Sequence, residues 1–317
     1  MTTLAYKTII GAVHMDKKEI QGKIRNLLAA RKAILLAHYY QRDEVQEIAD
    51  YLGDSLGLSM EAAKTDAAVI VFAGVHFMAE SASILAPEKT VLLPRADAGC
   101  PLADMITVEQ LLAAKGQHPD ATVVTYINSS AEIKANSDIC CTSANALKVV
   151  QSLPGEGPVL MIPDGNLARY VATGTKKTII PWEGFCPIHH HLTAAQVIRV
   201  KAAHPDAVFA AHPECTLAVL ALADFVGSTT AILGYAGEPQ VHKLIVGTER
   251  GIFCQLQSRY PEKVFIPASE GMRCEDMKRT TLEDILASLT EMKHIVKVPE
   301  AVRIPAKRSL DRMLELS

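Results

Sequence analysis

The sequence contains seven cysteines but no Cys-x-x-Cys pair. That absence excludes zinc-ribbon, thioredoxin and ferredoxin types of site, because each of them needs two cysteines close together in the chain. In a chain of cytosolic type, cysteines indicate metal or redox chemistry before disulfides. Any site built from these cysteines must be assembled from segments far apart in the sequence.

Long apolar runs, excess basic charge and aromatic residues are also scarce. No run approaches the ~20 apolar residues that cross a bilayer, and residues 1–10 lack the features of a secretory signal. We therefore expect a cytoplasmic chain with no membrane partner. The net charge of −3, with no basic tract, argues against nucleic acid as a partner. Apolar residues make up 49% of the 317 residues and aromatic residues 5%, which is typical of an aliphatic α/β core.

Three stretches of the chain are similar to one another, and each leads to a cysteine. Residues 89–94 run to Cys100, residues 177–181 to Cys186 and residues 263–267 to Cys274. The cysteines stand 86 and then 88 residues apart. Three similar modules would each bring one thiolate to a common centre, and three ligands leave a bound metal or cluster one open position.

Other residues repeat with the same spacing. His38, Tyr126 and His212 follow apolar runs at intervals of 88 and 86, and Ser55, Ser143 and Thr229 follow at the same two intervals. A period carried by several features at once indicates triplication of a whole supersecondary unit. We predict α/β repeats at residues 20–104, 105–190 and 191–280, followed by a C-terminal helical tail at residues 281–317.

The apolar runs predict short buried strands that alternate with helices. Strands are predicted at residues 33–37, 69–73, 122–126, 159–162, 208–211 and 244–246. In the first module a helix is predicted from the spacing of Val45, Ile48, Ala49 and Leu52. This pattern is typical of three pseudo-symmetric three-layer α/β domains, each with a short parallel sheet. Ligands of such sheets lie beyond the carboxyl ends of the strands, so we expect one central cleft to hold the residues that follow them.

The hydroxyl residues, here including Thr230, stand where helices are predicted to begin. The amide groups of a helix N-terminus bind anions such as phosphate or carboxylate. These residues could also be ordinary helix caps, but a common period and a common cleft favour ligand contacts. Glu214 follows a strand and is a candidate general acid or base. His189, His190 and His191 are instead expected to form a solvated helix start.

The spacing does not identify the metal. Three cysteines and a water suit zinc, whereas thiolate ligation from separate modules also suits a [4Fe–4S] cluster with one free iron. A free iron acts as a Lewis acid toward a substrate hydroxyl or carboxylate. Two further interpretations of the residues are a hydro-lyase with an open iron and a non-catalytic sensor that holds a cluster or zinc.

The chain resembles the quinolinate synthase family in a series of short motifs from about residue 20 to residue 290. The motifs are His38-Tyr39-Tyr40-Gln41, Gly53-Asp54-Ser55-Leu56, Gly99-Cys100-Pro101, Thr125-Tyr126-Ile127-Asn128, Cys141-Thr142-Ser143-Ala144-Asn145-Ala146, Pro163-Asp164-Gly165-Asn166-Leu167, Trp182-Glu183-Gly184-Phe185-Cys186, Ala211-His212-Pro213-Glu214-Cys215, Gly227-Ser228-Thr229-Thr230, Gly247-Thr248-Glu249 and Cys274-Glu275-Asp276-Met277-Lys278. The resemblance implies a [4Fe–4S] cluster. It also implies the condensation of iminoaspartate with dihydroxyacetone phosphate to quinolinate, with loss of phosphate and two waters, for NAD biosynthesis. A functional partner is then the enzyme that supplies iminoaspartate.

The resemblance also implies a role for each site residue. The cluster ligands would be Cys100, Cys186 and Cys274. The residues that hold carboxylates or phosphate would be His38, Ser55, Ser143, His212 and Thr229 or Thr230. Proton transfer and dehydration would fall to Tyr40, Tyr126 and Glu214 with His212, while Asn128 and Tyr126 position the substrate. Some family members carry a Cys-x-x-Cys arrangement at the third ligand, and its absence here implies no regulatory disulfide at Cys274.

Overall fold

The structure is a computed structural model that describes residues 16–316. Residues 1–10, to which the expectation about a secretory signal applies, lie outside the described range. The described chain folds into three modules of alternating strands and helices, followed by a C-terminal segment.

Module one begins with α1 (Lys17–Ala30), which is capped by Asp16 because its side chain accepts a hydrogen bond from the Glu19 amide at 2.8 Å. Ile20, Ile24 and Leu28 are buried on one face of this helix, as the helical period requires. The remaining elements are β1 (Ala33–His38), α2 (Asp43–Gln46), β2 (Tyr51–Gly53), α3 (Ser55–Lys64), β3 (Val69–Ala73), α4 (His76–Leu85), β4 (Thr90–Leu92) and a short 3₁₀ helix (Ala103–Met105).

Modules two and three repeat this order of elements. Module two contains α5 (Val108–Gln117), β5 (Thr122–Tyr126), α6 (Ala131–Ala135), β6 (Ile139–Cys141), α7 (Ala146–Ser152), β7 (Val159–Ile162), α8 (Gly165–Thr173), β8 (Ile179–Pro181) and α9 (Pro187–His190). Module three contains α10 (Ala194–Ala203), β9 (Val208–Ala211), α11 (Leu217–Leu220), β10 (Phe225–Val226), α12 (Thr229–Tyr235), β11 (Lys243–Gly247), α13 (Ile252–Arg259) and β12 (Val264–Pro267). The strands predicted from the apolar runs are confirmed to within one residue at either end.

Each module forms its own parallel sheet, and the three sheets have the same strand order. The orders are β2-β1-β3-β4, β6-β5-β7-β8 and β10-β9-β11-β12. In every sheet the first strand of the module lies between its second and third strands. The chain therefore winds in one direction from the first strand to the second and in the other direction to the third. Such a switch point opens a crevice at the carboxyl ends of those strands.

Alternate residues of the central strands face two different cores. In β1, Leu35 packs with α1 on the outer side, whereas Leu36 packs with the helices on the inner side. Val124 of β5 and Ala210 of β9 belong to the same inner cluster as Leu36. The modules are therefore three-layered and share one central core, which confirms the predicted fold class.

An aspartate at the start of the second strand of each module ties it to the first strand. Asp50 accepts a hydrogen bond from the Leu35 amide at 2.8 Å, and Asp138 and Asp224 accept equivalent bonds from the first strands of their modules at 2.8 and 2.7 Å. These aspartates stand 88 and then 86 residues apart, the same intervals as those of His38, Tyr126 and His212.

The helix predicted from Val45 to Leu52 is wrong beyond its first turn. The α2 helix ends at Gln46, and Leu52 lies in β2. The bond from Asp50 returns the chain to the sheet edge, where β2 pairs with β1. Tertiary pairing has overridden the local helical period at this point.

The C-terminal segment contains α14 (Leu282–Glu291), β13 (Ile295–Val296) and α15 (Glu300–Glu315). The α14 helix packs on α1, and β13 adds an antiparallel strand to β4. The α15 helix packs on α6 and β6 of module two and on α4 of module one. The segment thus contains a strand as well as helices, and it joins the first two modules.

No helix within residues 16–316 has the length and apolar character needed to cross a membrane. The unit boundaries after residues 104, 190 and 280 stay a prediction.

Candidate active site

One buried cavity lies where the three modules meet, at the carboxyl ends of their sheets. Its lining includes twelve of the thirteen residues that the sequence singles out as site residues, and only Thr230 lies outside it. The twelve are His38, Tyr40, Ser55, Cys100, Tyr126, Asn128, Ser143, Cys186, His212, Glu214, Thr229 and Cys274. Residues from every module therefore reach one space.

The three cysteines stand on the loops that follow the last strand of each module. Cys186 donates its amide to Asp164 at 3.1 Å, and Cys274 donates its amide to Glu249 at 3.1 Å, so a buried carboxylate orients two of the three loops. Asp164 also caps α8 through the Leu167 amide. These carboxylates follow the third strand of their modules, where the sheet delivers them next to the cysteine loops.

Burial alone makes the three thiols hard to ionise. It raises the pKa of the Cys100 thiol to about 12 and that of Cys274 to about 11, and it raises the pKa of Cys186 well above its usual value. A nearby cation reverses this preference, because metal ligation deprotonates a thiol outright. The cavity wall is therefore suited to thiolates only when a positive group binds between them.

A compact set of metal-binding atoms lies on one side of the cavity. The Cys186 sulfur, a His189 ring nitrogen and a Glu214 carboxylate oxygen lie within 4.8 Å of one another. The sulfurs of Cys100 and Cys274 border the same cavity but do not belong to this group. The site is thus compatible with metal binding, and its three sulfurs are spread more widely than the ligands of a single ion.

Glu214 lies between two histidines in the buried wall. Its Oε2 atom is 2.6 Å from His189 Nδ1 and 3.3 Å from His212 Nδ1, and the two rings stack with centroids 4.5 Å apart. Burial opposes ionisation of Glu214, but the two histidines outweigh it and hold the pKa of this carboxyl well below its usual value. Oε1 of Glu214 has no hydrogen-bond partner among residues 16–316.

Tyr40 belongs to a chain of hydrogen bonds that reaches Glu214. Its hydroxyl oxygen is 2.7 Å from Thr229 Oγ1 and 2.6 Å from Thr248 Oγ1. Thr248 Oγ1 is 2.9 Å from His189 Nε2, and the other nitrogen of that ring contacts Glu214. Burial raises the pKa of Tyr40 well above its usual value, so the hydroxyl keeps its proton and can donate it. Burial does the same to the pKa of Tyr126, which is 5% exposed.

His38 and His212 occupy equivalent places after the first strands of modules one and three. His38 Nδ1 accepts a hydrogen bond from the Tyr40 amide at 3.1 Å, and His212 Nδ1 accepts one from the Glu214 amide at 3.4 Å. Burial lowers the pKa of His38 to about 4 and also lowers that of His212. His212 Nε2 is 3.1 Å from Ser143 Oγ, which links the histidine to the hydroxyl layer formed by Ser55, Ser143, Thr229 and Thr230.

The hydroxyl layer lies beside helix starts, but neighbouring residues make the caps. Asp54 accepts the Gly57 amide at 3.1 Å before α3, and Ser228 accepts the Ala231 amide at 3.3 Å before α12. Ser55 and Thr229 are then the first residues of their helices, and both line the cavity. The interpretation of these two residues as caps is wrong.

The remaining hydroxyl residues differ in their placement. Ser143 lines the cavity but lies three residues before the start of α7, because that helix begins at Ala146 after its N-cap Asn145. Thr230 is exposed and borders an outer groove beside the cavity. Thr229 is therefore the member of the pair that reaches the space shared with the cysteines.

The sequence interpretation missed several residues of the cavity wall. His189 is 2% exposed and contacts Glu214 and Thr248, so the expectation of a solvated helix start is wrong for it. His191 is exposed, as expected. The sequence did contain a partial signal for His189. Pro187 directly after Cys186 indicates a helix start, and a residue three positions after the cysteine then lies on the same face of the helix as the cysteine. Thr248 and Glu249 belong to the Gly247-Thr248-Glu249 motif, for which the sequence analysis predicted no role.

The comparisons with known proteins agree with this geometry. Residues 22–315 match the family model of quinolinate synthetase A protein. The quinolinate synthase of Geotalea uraniireducens is 60% identical over 302 residues, which cover 95% of this chain and 99% of the relative. That of Geobacter metallireducens is 58% identical over the same shares of both chains. Quinolinate synthase 1 of Methanosarcina acetivorans is 53% identical over 300 residues, 95% of this chain and 98% of the relative. A cavity shared by three modules and a match along nearly the whole chain lead to one conclusion: the chain belongs to the quinolinate synthetase A family of enzymes.

Proposed function

We propose that the chain is a quinolinate synthase that condenses iminoaspartate with dihydroxyacetone phosphate, releasing phosphate and two waters in NAD biosynthesis. The observation that carries the proposal is the meeting of three thiols, a buried ionised carboxylate and three hydroxyl residues in one cavity. The relatives share this activity by name. The family match does not support the interpretations as a hydro-lyase or as a non-catalytic sensor.

The donor set suits a [4Fe–4S] cluster held by Cys100, Cys186 and Cys274. Three soft sulfur donors from three modules border one cavity, and a cluster is larger than the single ion that a compact set would hold. The buried thiols also need a positive group before they ionise. When bound, the cluster would supply a Lewis-acidic iron that polarises a substrate oxygen or nitrogen.

The polar residues of the cavity would hold the anionic groups of the two substrates. Ser55 and Thr229 lie in the first turns of α3 and α12, where backbone amides and the helix dipole favour phosphate or carboxylate. Ser143, His38 and His212 add donors around the same space. Thr230, on the outer groove, would meet a substrate only outside the cavity.

Proton transfer would be shared between Glu214 and the tyrosines. Glu214 is ionised and its Oε1 atom has no partner among residues 16–316, so it can take a proton from a substrate carbon. Tyr40 and Tyr126 stay neutral and can give a proton to a departing hydroxyl. The chain from His189 through Thr248 to Tyr40 connects the base with one of the acids.

Asn128 would position the substrate beside these groups. It borders the cavity, and its Oδ1 atom is buried without a hydrogen-bond partner among the described residues. A buried amide oxygen of this kind costs free energy unless a ligand donates to it. The imine N–H of iminoaspartate or the hydroxyl of dihydroxyacetone phosphate would supply that donor.

The direct test is an anaerobic assay with iminoaspartate generated in place and dihydroxyacetone phosphate added. We expect quinolinate and phosphate in equal amounts, and no quinolinate when dihydroxyacetone phosphate is replaced by dihydroxyacetone. Phosphate release without quinolinate would refute the condensation. Coupling to the enzyme that supplies iminoaspartate, and the cytoplasmic location, stay predictions.

A further inference from the structure

The cavity contains a second arrangement of metal-binding atoms that does not need all three cysteines. Cys186 Sγ is 3.3 Å from His189 Nδ1, and His189 Nδ1 is 2.6 Å from Glu214 Oε2. All three atoms lie within 4.8 Å of one another, and Cys100 and Cys274 take no part. We propose that Cys186, His189 and Glu214 form a site for one divalent ion of the zinc type, which the chain binds when it carries no iron–sulfur cluster.

The hydrogen bonds around His189 orient it as a metal ligand. Its Nε2 atom is 2.9 Å from Thr248 Oγ1, a bond that can hold the ring proton on Nε2 and direct the lone pair of Nδ1 toward Cys186 and Glu214. Metal-binding histidines commonly carry such a second hydrogen bond, which fixes the ring and its tautomer. The 2.6 Å between Nδ1 and Oε2 is a hydrogen-bond distance, so a proton lies between the two atoms in the structure. A bound ion would replace that proton and move the two atoms to about 3.3 Å apart, the spacing of neighbouring ligands in a tetrahedral zinc site.

The chemistry of the three donors favours zinc or cobalt over magnesium or calcium. One sulfur, one imidazole nitrogen and one carboxylate oxygen make a mixed set of borderline softness, whereas the hard cations prefer oxygen ligands. Three protein ligands leave a fourth position, and all three of these ligands border the cavity. The carboxylate can adjust to an ion at little cost, because Oε1 of Glu214 has no partner among residues 16–316.

The two metal centres would exclude each other. Cys186 belongs to the single-ion site and, by the proposed function, also to the cluster. Zinc bound at Cys186, His189 and Glu214 would therefore block cluster assembly and occupy the proposed base. The existence of the single-ion site does not rest on the proposed function, but this competition does.

Cobalt(II) is the probe for the test, because a thiolate bound to cobalt absorbs in the near ultraviolet and a tetrahedral site absorbs in the visible. The full-length chain, freed of iron and kept reduced without oxygen, is titrated with cobalt alone. We expect one ion per chain with both absorptions. Cys100→Ala and Cys274→Ala should bind the ion as the unchanged chain does. Cys186→Ala should lose the near-ultraviolet band, and His189→Gln should weaken binding by at least about 10-fold.

The three cysteine variants serve as controls for one another. Circular dichroism of each one checks that the chain is folded, and Glu214→Gln supplies a second ligand variant that leaves every cysteine in place. A band that survives in Cys186→Ala, or that is lost equally in all three cysteine variants, would overturn the proposal. Reconstitution with iron and sulfide, on the same preparation with and without zinc, tests the cluster separately. If the cluster forms but cobalt does not bind, only the single-ion proposal is refuted.

Discussion

Glu214 is a buried carboxylate whose two oxygens have different surroundings. Oε2 contacts His189 and His212, whereas Oε1 has no partner among residues 16–316. The histidines keep the group ionised, and the free oxygen remains open to substrate. At the scale of single residues, this asymmetry is what the proposed role of Glu214 as a base requires, because a purely structural ion pair would not need an oxygen without a partner.

Replacing Glu214 by Gln tests this role. The amide keeps the size of the side chain but cannot accept a proton from carbon, so we expect the turnover number to fall by at least about 100-fold. The visible spectrum of the iron–sulfur protein should remain, because the three cysteines are unchanged. Steady-state rates and spectra are measured on the same anaerobic sample. Normal turnover would remove Glu214 from the mechanism.

His38 makes a prediction about pH and stability. Burial places its pKa at about 4 in the folded chain, below the ordinary value of 6.5. Between these two values the unfolded chain binds a proton that the folded chain does not, so acid favours unfolding. The contribution of His38 is complete above pH 6.5 and is lost as pH falls toward 4, by up to about 1.4 kcal/mol per pH unit.

Urea unfolding of the original chain and of His38→Gln at several pH values in this range measures that contribution. We expect the free energy of unfolding of the variant to depend less steeply on pH. Parallel pH curves for the two proteins would show that His38 is not the group responsible.

At the scale of elements, the side chains of a buried aspartate, Asp164, and of an exposed one, Asp138, connect strands, helix starts and loops. Asp164 caps α8 through the Leu167 amide at 2.8 Å and holds the Cys186 amide at 3.1 Å. Asp138 ties β6 to β5 but contacts no cysteine loop in this way. The two aspartates therefore share a stabilising role and differ in their relation to the proposed metal centre.

Asp164→Ala and Asp138→Ala form a matched pair for this difference. Each removes a carboxylate that accepts backbone hydrogen bonds, and we expect each to lower the free energy of unfolding by about 1 to 2 kcal/mol. Only Asp164→Ala should also lose iron faster to a chelator, because it frees the Cys186 loop. Equal iron loss from both variants would show that general stability, and not the loop, controls metal retention.

The α15 helix makes a prediction about the joining of modules. Leu310 is fully buried where this helix packs on modules one and two, while Ile304 of the same helix is 46% exposed. We expect Leu310→Ala to lower the free energy of unfolding by about 2 to 5 kcal/mol through the cavity it leaves. Ile304→Ala should change it by less than about 0.5 kcal/mol. Urea unfolding measures both, and equal effects would mean that α15 does not join the modules.

At the scale of the whole molecule, the features that repeat were predictable and those that occur once were not. The period of the cysteines identified three modules, and the cavity that they share holds Cys100, Cys186 and Cys274. His189 was not predicted as a site residue, because the equivalent positions after the other two cysteines hold Ala103 and Met277. A residue that does not repeat cannot be found from the period.

The C-terminal strand β13 was not predicted from the sequence for a different reason. Its pairing joins Ile295 to Leu92, two residues far apart in the sequence, and a two-residue strand carries no alternation of its own. The spacing of apolar residues also predicted helix, wrongly, for the segment after α2. There the Asp50 side chain accepts a hydrogen bond from the Leu35 amide of β1. Long-range contacts determine the structure of such segments, and the local periodicity of the sequence carries no information about those contacts.

The most direct test of the account is the location of iron in crystals grown without oxygen, measured by anomalous scattering at the iron edge. We expect one compact iron cluster per chain, within bonding distance of the sulfurs of Cys100, Cys186 and Cys274. Iron held by other residues, or three sulfurs with no iron between them, would contradict the account.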